Sequence, residues 1–347
     1  MHLPPKKNEI LSPKRLLSRN SCIYLQGKIE DMENKDMSKT RKWVLACRPK
    51  TLSAAVAPVV VATSMAWADG RMRWGVAVLC AFFAVAMQIA ANLINDVMDF
   101  SRGTDGDDRL GPPRACAQGW LTKRECWSGV AVALSVAAVL GIVVLISSGA
   151  WIDWSDDALG IDWTAVGWLV GLGLACGVFA FLYTSLLSYL GGGDLLVYIF
   201  FGFVPVLGTY YVQALQLTAS VWWMGAAMGL VVDTLLLLNN YRDRDTDRRT
   251  GKHTLVAVFG EHFGSVSYLL HGILGAACAL VAIGSEKNML SGCVLMLCYV
   301  MLHLPTWRAM TKIHSGRKLN RVLGITSRNI LLFALFATLA VVSTRVI

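Results

Sequence analysis

The chain has 347 residues, 55% of them hydrophobic and only 16% charged, with a formal charge of +9. Soluble domains hold about 25% charged residues, so the composition argues against a soluble protein and for one built to sit in lipid. The Lys and Arg residues are confined to an N-terminal segment and a few loops, which argues against nucleic acid as a partner and fits the positive-inside bias of a membrane protein.

Residues 1–42 are polar and basic, with Lys6, Lys7, Lys14, Arg15 and Arg19, and lack the apolar core of a cleavable signal peptide. They read as a flexible cytoplasmic arm, with Met32 and Met37 as alternative starts, ahead of one membrane domain over 43–347. A span needs about 20 apolar residues. The candidates are 51–68, 74–98, 128–150, 163–187, 195–215, 219–240, 265–284, 288–306 and 325–344. This predicts an all-α polytopic protein with nine transmembrane helices. Cysteines such as Cys80, Cys176 and Cys278 fall inside these stretches without C-x-x-C spacing, as small hydrophobes rather than disulfide or zinc residues.

The loops after the second, sixth and eighth spans are basic. They carry Arg102, Arg109 and Arg114, then Arg242, Arg244, Arg248, Arg249 and Lys252, then Arg308, Lys312, Arg317 and Arg321. The loop after the third carries Asp153, Asp156 and Asp157 among tryptophans. Loop charge therefore places the N-terminus and the three basic loops in the cytoplasm and the C-terminus outside.

Two acidic, asparagine-led clusters sit where apolar stretches end on that basic side: Asn92 to Asp99, and Asn239 to Asp247. Residues four apart share a helix face, so Asn92 with Asp96, Asn95 with Asp99, and Asn239 with Asp243 and Asp247 make oxygen-rich faces. Carboxylates near hydrocarbon are expected only when paired, metal-bound or lining a wet cavity. Magnesium sites use one or two carboxylates plus phosphate oxygens and water. Arg48, Arg109, Arg114, Arg242 and Lys252 supply phosphate-binding cations nearby. The pattern suits a magnesium-complexed diphosphate better than a bare cation, although ordinary helix-end charges would also pair and snorkel; Arg248 and Arg249 read as positive-inside charges of that kind.

Asn95-Asp96-x-x-Asp99 with a later Asp105, then Asp243-x-x-x-Asp247 and Gly251-Lys252-His253-Thr254, resembles the UbiA superfamily of intramembrane aromatic prenyltransferases. Arg48-Pro49-Lys50-Thr51-Leu52, Gly111-Pro112-Pro113-Arg114 and Gly192-Gly193-Asp194 point to its naphthoate branch, in menaquinone synthesis. The likeness covers about residues 43–345. The broader superfamily has a third carboxylate where this chain has Gly103, its acid arriving at Asp105.

The resemblance implies a nine-helix bundle in the cell inner membrane, open sideways to the bilayer. It implies transfer of a polyprenyl group from polyprenyl diphosphate to 1,4-dihydroxy-2-naphthoate, with loss of carbon dioxide and diphosphate. Asp96, Asp99, Asp243 and Asp247 would hold Mg2+, with Asn95 and Asp105 as further ligands and Lys252 and Arg114 on the diphosphate. Arg48 would bind the diphosphate or the acceptor carboxylate. Asn92, Arg109, Asn239 and Asn240 would line the substrate site, and no protein partner is predicted. Tyr183 faces an allylic cation or simply packs; Asp194 belongs to the site or caps a helix. A relative acting on 4-hydroxybenzoate would look similar. A cation-coupled transporter would instead place its carboxylates near the bilayer midplane.

Overall fold

The computed structural model describes residues 37–103, 109–153, 160–183, 190–284 and 289–345. Helix α1 (Lys39–Ala46) precedes α2 (Pro49–Ala68), α3 (Trp74–Arg102) and α4 (Lys123–Ser148). A two-residue hairpin, β1 (Ile152–Asp153) with β2 (Gly160–Ile161), leads to α5 (Trp163–Leu182). Next come α6 (Gly193–Tyr198), a π-helical turn at Ile199–Phe203, and α7 (Val204–Ala214), which together form one span. Helices α8 (Ala219–Arg249), α9 (Leu255–Ile283), α10 (Met289–Ile313) and α11 (Leu319–Arg345) complete the bundle. Nine spans long and apolar enough to cross a membrane are found among the described residues, as the hydropathy pattern predicts.

The predicted edges fall short on one side only. Helices α3, α8, α9, α10 and α11 run beyond their apolar stretches at the end that carries the basic loops, so the acidic clusters stand on protruding helix rather than in loops. Arg317 donates to the Arg109 carbonyl, Asn320 to the Leu110 carbonyl and Arg244 to the His314 carbonyl. These bonds tie the three basic loops together at one end of the bundle.

Helix α8 is the hub: 72% of its apolar window is buried in protein, against 6% for α5, which presents Trp163, Trp168 and Leu174 outward. The main core gathers Met224, Met228, Tyr210, Tyr299 and Phe333. Two smaller clusters lie under the acidic ends. Leu93, Ile94, Val97, Ala115 and Cys126 form the first, and Leu237, Tyr241, Val256, Tyr268 and Met310 the second.

Glycine lets α8 meet the α6–π–α7 span backbone to backbone. A Cβ on Gly202 would stand 2.6 Å from the Gly225 carbonyl oxygen, and one on Gly229 would stand 2.6 Å from the Tyr198 oxygen. The two helices therefore run antiparallel at this contact, with Gly202 between Gly225 and Gly229 and Gly229 against Tyr198. Gly229→Val should therefore lower the thermal midpoint by the equivalent of about 1–3 kcal/mol, the usual cost of overpacking. Gly171→Ala, where a Cβ would meet nothing within 4 Å, should leave the midpoint unchanged; equal shifts would remove the close contact from the account.

Candidate active site

At the first acidic end, each side chain has a defined partner. Asp96 is 1% exposed, and its carboxylate accepts the backbone N–H of Ala115 at 2.8 Å and of Cys116 at 3.1 Å. Asp99 pairs with Arg114 at 2.5 Å, and the same guanidinium donates to the Asn95 carbonyl at 2.7 Å. The loop after α3 is thus pinned onto the end of α3 by both acids. Asn92 donates to the Cys47 carbonyl and the Thr51 hydroxyl, each at 3.0 Å, while Gln88 donates to its oxygen at 3.1 Å. Its amide staples the α1–α2 junction, so a ligand would find one lone pair at most.

Arg48 occupies that junction in a left-handed conformation, φ +51°, which non-glycine residues rarely adopt. Its Nη2 is buried with no hydrogen-bond partner. Burial, and next the Arg114 charge, push its pKa down to about 10, with Asp96 and Asp99 opposing. A buried guanidinium nitrogen without an acceptor is costly and invites an anion.

At the second end, Arg242 grips Asp243 through both oxygens, at 2.8 and 2.6 Å, and donates to Asn320 at 2.8 Å. The Nη2 atoms of Arg109 and Arg242 both come within 3.0 Å of where a Gly111 Cβ would stand. The loop after α3 and the end of α8 therefore meet at Gly111. Asp247 is buried; its carbonyl accepts the Lys252 backbone N–H at 2.8 Å, and its carboxylate accepts the Thr254 hydroxyl at 3.4 Å. Asn239 donates to the Leu235 carbonyl of its own helix, and Asn240 is buried. Asp245 is exposed, 3.9 Å from Arg248.

Two arginines differ from their sequence reading. Arg248 is no loose positive-inside charge, since its Nε donates to the Ala257 carbonyl at 2.5 Å and clips α8 to α9. Arg244 is buried, donating to the Tyr241 and His314 carbonyls and to Glu261, which also accepts from the Tyr241 hydroxyl. The start of α9 can bend to meet them because Gly260 breaks the helix at φ +89°, a conformation suited to glycine.

Asp194 is not a helix cap. Gly192 holds that position, and Asp194 sits in the first turn of α6 with its Oδ1 buried and unpartnered. Tyr183 ends α5, where the charges of Asp194, Asp233, Asp99 and Arg114 all act on its phenol. Asp105 lies outside the described residues.

The carboxylates fit a magnesium diphosphate better than a bare ion. Among the described residues, no three His, Cys, Asp or Glu side chains group closely enough to hold a metal ion. Asp99 and Asp243 instead each carry an arginine. Magnesium is commonly bound by one or two carboxylates plus substrate phosphates rather than by an all-protein cage, and those arginines are suited to phosphate oxygens.

The helical bundle and its paired acidic ends are those of an intramembrane prenyltransferase. Residues 55–325 match the UbiA prenyltransferase family, and the chain belongs to it. It is 34% identical over 307 residues to a Mycobacterium tuberculosis 1,4-dihydroxy-2-naphthoate octaprenyltransferase, covering 86% of this chain and 96% of that one. The Escherichia coli protein of the same name is 34% identical over 234 residues, 66% of this chain and 72% of that one. A solved UbiA homolog from Archaeoglobus fulgidus bound to DMAPP and Mg2+ shares the fold, with a TM-score of 0.59 at 13% identity over 87% of this chain and 99% of that one.

Sequence reasoning missed Asp233 and His271. Asp233 stands in the apolar run Val231-Val232-Asp233-Thr234, in the middle of a predicted span. The rule that flags acids in hydrocarbon applies to it more strongly than to any helix-end aspartate.

The loop geometry has a direct test. Asp96→Ala removes the acceptor for two buried amides, so the Ala115 and Cys116 N–H groups should exchange with deuterium at least about tenfold faster. Stability should fall by about 1–3 kcal/mol. Unchanged protection at those amides would show that Asp96 does not hold the loop.

Proposed function

We propose that the protein transfers a polyprenyl group from polyprenyl diphosphate to 1,4-dihydroxy-2-naphthoate, with loss of carbon dioxide and diphosphate, in a Mg2+-dependent step of menaquinone synthesis. The observation that carries this reading is the pair of arginine-held carboxylates, Asp99 with Arg114 and Asp243 with Arg242, at one end of a membrane bundle. The naphthoate is supported by the names of the relatives from M. tuberculosis and E. coli.

Asp99, Asp243 and Asp247 would hold the magnesium, with the remaining lone pairs of Asp96 and with Asn95 beside them. When bound, the metal supplies positive charge at the departing diphosphate. Arg114 and Arg242 exchange their carboxylates for phosphate oxygens, and Lys252 and Arg109 add charge from the neighbouring loops. Such donors act by stabilising charge that develops as the carbon–oxygen bond breaks. Arg48 Nη2 offers the open donor for the acceptor carboxylate. Tyr183 lies between the phosphate end and the bundle interior, where an aromatic face suits an allylic cation. The basic end faces the cytoplasm of an inner membrane and the C-terminus lies outside; of the segment read as an arm, residues 1–36 lie outside the described residues and residues 39–42 begin α1.

Purified protein given polyprenyl diphosphate, the naphthoate and Mg2+ should release diphosphate and form the decarboxylated prenyl-naphthalenediol. Asp99→Asn and Asp243→Asn should each lower turnover by roughly 100-fold or more. Turnover of 4-hydroxybenzoate but not the naphthoate would assign another acceptor.

Metal and diphosphate should also bind as a unit. Mg2+ alone at millimolar concentration should move the thermal midpoint little, whereas Mg2+ with a prenyl diphosphate should raise it by several degrees through linkage. An equal rise with Mg2+ alone would mean that the carboxylates form a cage without substrate.

A further inference from the structure

Two carboxylates lie on the inward side of the phosphate end, and neither has a full set of partners. Asp233 is 1% exposed; its Oδ1 has no hydrogen-bond partner, and its Oδ2 lies 3.4 Å from His271 Nε2. Asp194 lies near it: the glycine contacts of Gly225 with Gly202 and of Gly229 with Tyr198 lead along α6 toward Asp194, whose charge acts on Asp233. Asp194 Oδ1 is likewise buried and unpartnered. Asp233 also shares a helix stripe with Asn240 and Asp247, at seven-residue intervals of about 10 Å.

The histidine is held in one orientation. Its Nδ1 lies 2.7 Å from the Ser267 carbonyl, which can only accept, so Nδ1 carries a hydrogen. Its Nε2 then meets the Asp233 carboxyl favourably only with a proton shared between them. Oδ2 is engaged with that proton, and the buried Oδ1 is left open as an acceptor. A structural staple between α8 and α9 would need no carboxylate, because an amide could make the same contact without a charge in the membrane interior. The open oxygens instead ask for hydroxyl donors.

We propose that Asp233, positioned by His271 and faced by Asp194, receives a ring hydroxyl of the aromatic acceptor and takes its proton during prenyl transfer. This rests on the prenyl-transfer reading above. The hydroxyl proton passes to Oδ1 with the shared proton resting on His271 Nε2, so that Asp233 becomes a neutral acid beside an imidazolium, and the oxygen's electron pair enriches the ring. The ring carbon bearing the carboxylate bonds to the allylic carbon as the diphosphate leaves with the electrons of the broken carbon–oxygen bond. Carbon dioxide departs, leaving its bonding pair to restore the ring, and Asp233 returns the proton to the ring oxygen. Each open oxygen on Asp233 and Asp194 matches one O–H of a diol. His271 acts through Asp233 and is a positioning residue.

The test separates a base from a staple. In lipid nanodiscs, Asp233→Asn keeps an acceptor oxygen but cannot take a proton, so kcat should fall by roughly 100-fold or more. KM for the prenyl diphosphate and for the naphthoate should stay within about threefold, and His271→Gln should give an intermediate loss of kcat. Equilibrium binding, read by naphthoate fluorescence, gives a readout independent of turnover. Asp233→Ala should weaken 1,4-dihydroxy-2-naphthoate by about tenfold or more, the worth of one hydrogen bond to a charged group, yet leave 2-naphthoate, which lacks both hydroxyls, unchanged. Asp194→Ala should show the same hydroxyl-selective effect and carries the binding test if the Asp233 variants do not fold. Unchanged kcat in Asp233→Asn, or equal losses for both naphthoates, would overturn the assignment. Failure of the wild-type protein to turn over any acceptor would instead remove the prenyl-transfer reading, while the two-ligand comparison would still test the subsite.

Discussion

A carboxylate against hydrocarbon needs a cation, a hydrogen-bond donor or a proton, and the organisation of this protein follows from how each acid meets that need. Asp96 takes two backbone amides, Asp99 takes Arg114, Asp243 takes Arg242 and Asp233 takes His271. The first of these folds a loop over the end of α3. The next two hold charge in a form that a metal and a phosphate can exchange. The last holds a carboxylate inside the membrane bundle, the group proposed as proton acceptor. In the proposed reaction, the side chains that neutralise one another in the free protein are the ones that would meet the ligands.

The scaffold makes that possible because α8 is shared. Its glycines accept the α6–π–α7 span at backbone distance, its middle carries Asp233, and its protruding end carries the second acidic cluster. Asn320 of α11 then bridges Arg242 to the Leu110 carbonyl, so the end of α8 and the loop after α3 come together although they are distant in sequence. The π-helical turn at Ile199–Phe203 lies beside that glycine contact, and such turns often mark functional sites.

The nine spans and the grouping of the basic loops were legible in the sequence, because hydropathy and loop charge respond to the bilayer directly. The two acidic ends were legible for the same reason. Individual roles were harder to read. Nothing in the local pattern distinguishes Asp96, which binds amides twenty residues away, from Asp99, which binds a guanidinium. Arg244 and Arg248 looked like loop charges because their acceptors are carbonyls of other helices. Asp194 resembled a helix cap because its cap-like position depends on where α6 begins, a matter of one or two residues. Asp233 was hidden in an apolar run, and its partner His271 lies on another helix.

The central claim is that the ends of α3 and α8 form one metal–diphosphate site. A structure with Mn2+ in place of Mg2+ and a non-reacting prenyl thiodiphosphate tests it most directly. The account predicts anomalous scattering between Asp99 and Asp243, with Arg114 and Arg242 released from these carboxylates onto phosphate oxygens. Metal and diphosphate bound elsewhere, with both arginine–aspartate pairs intact, would contradict it.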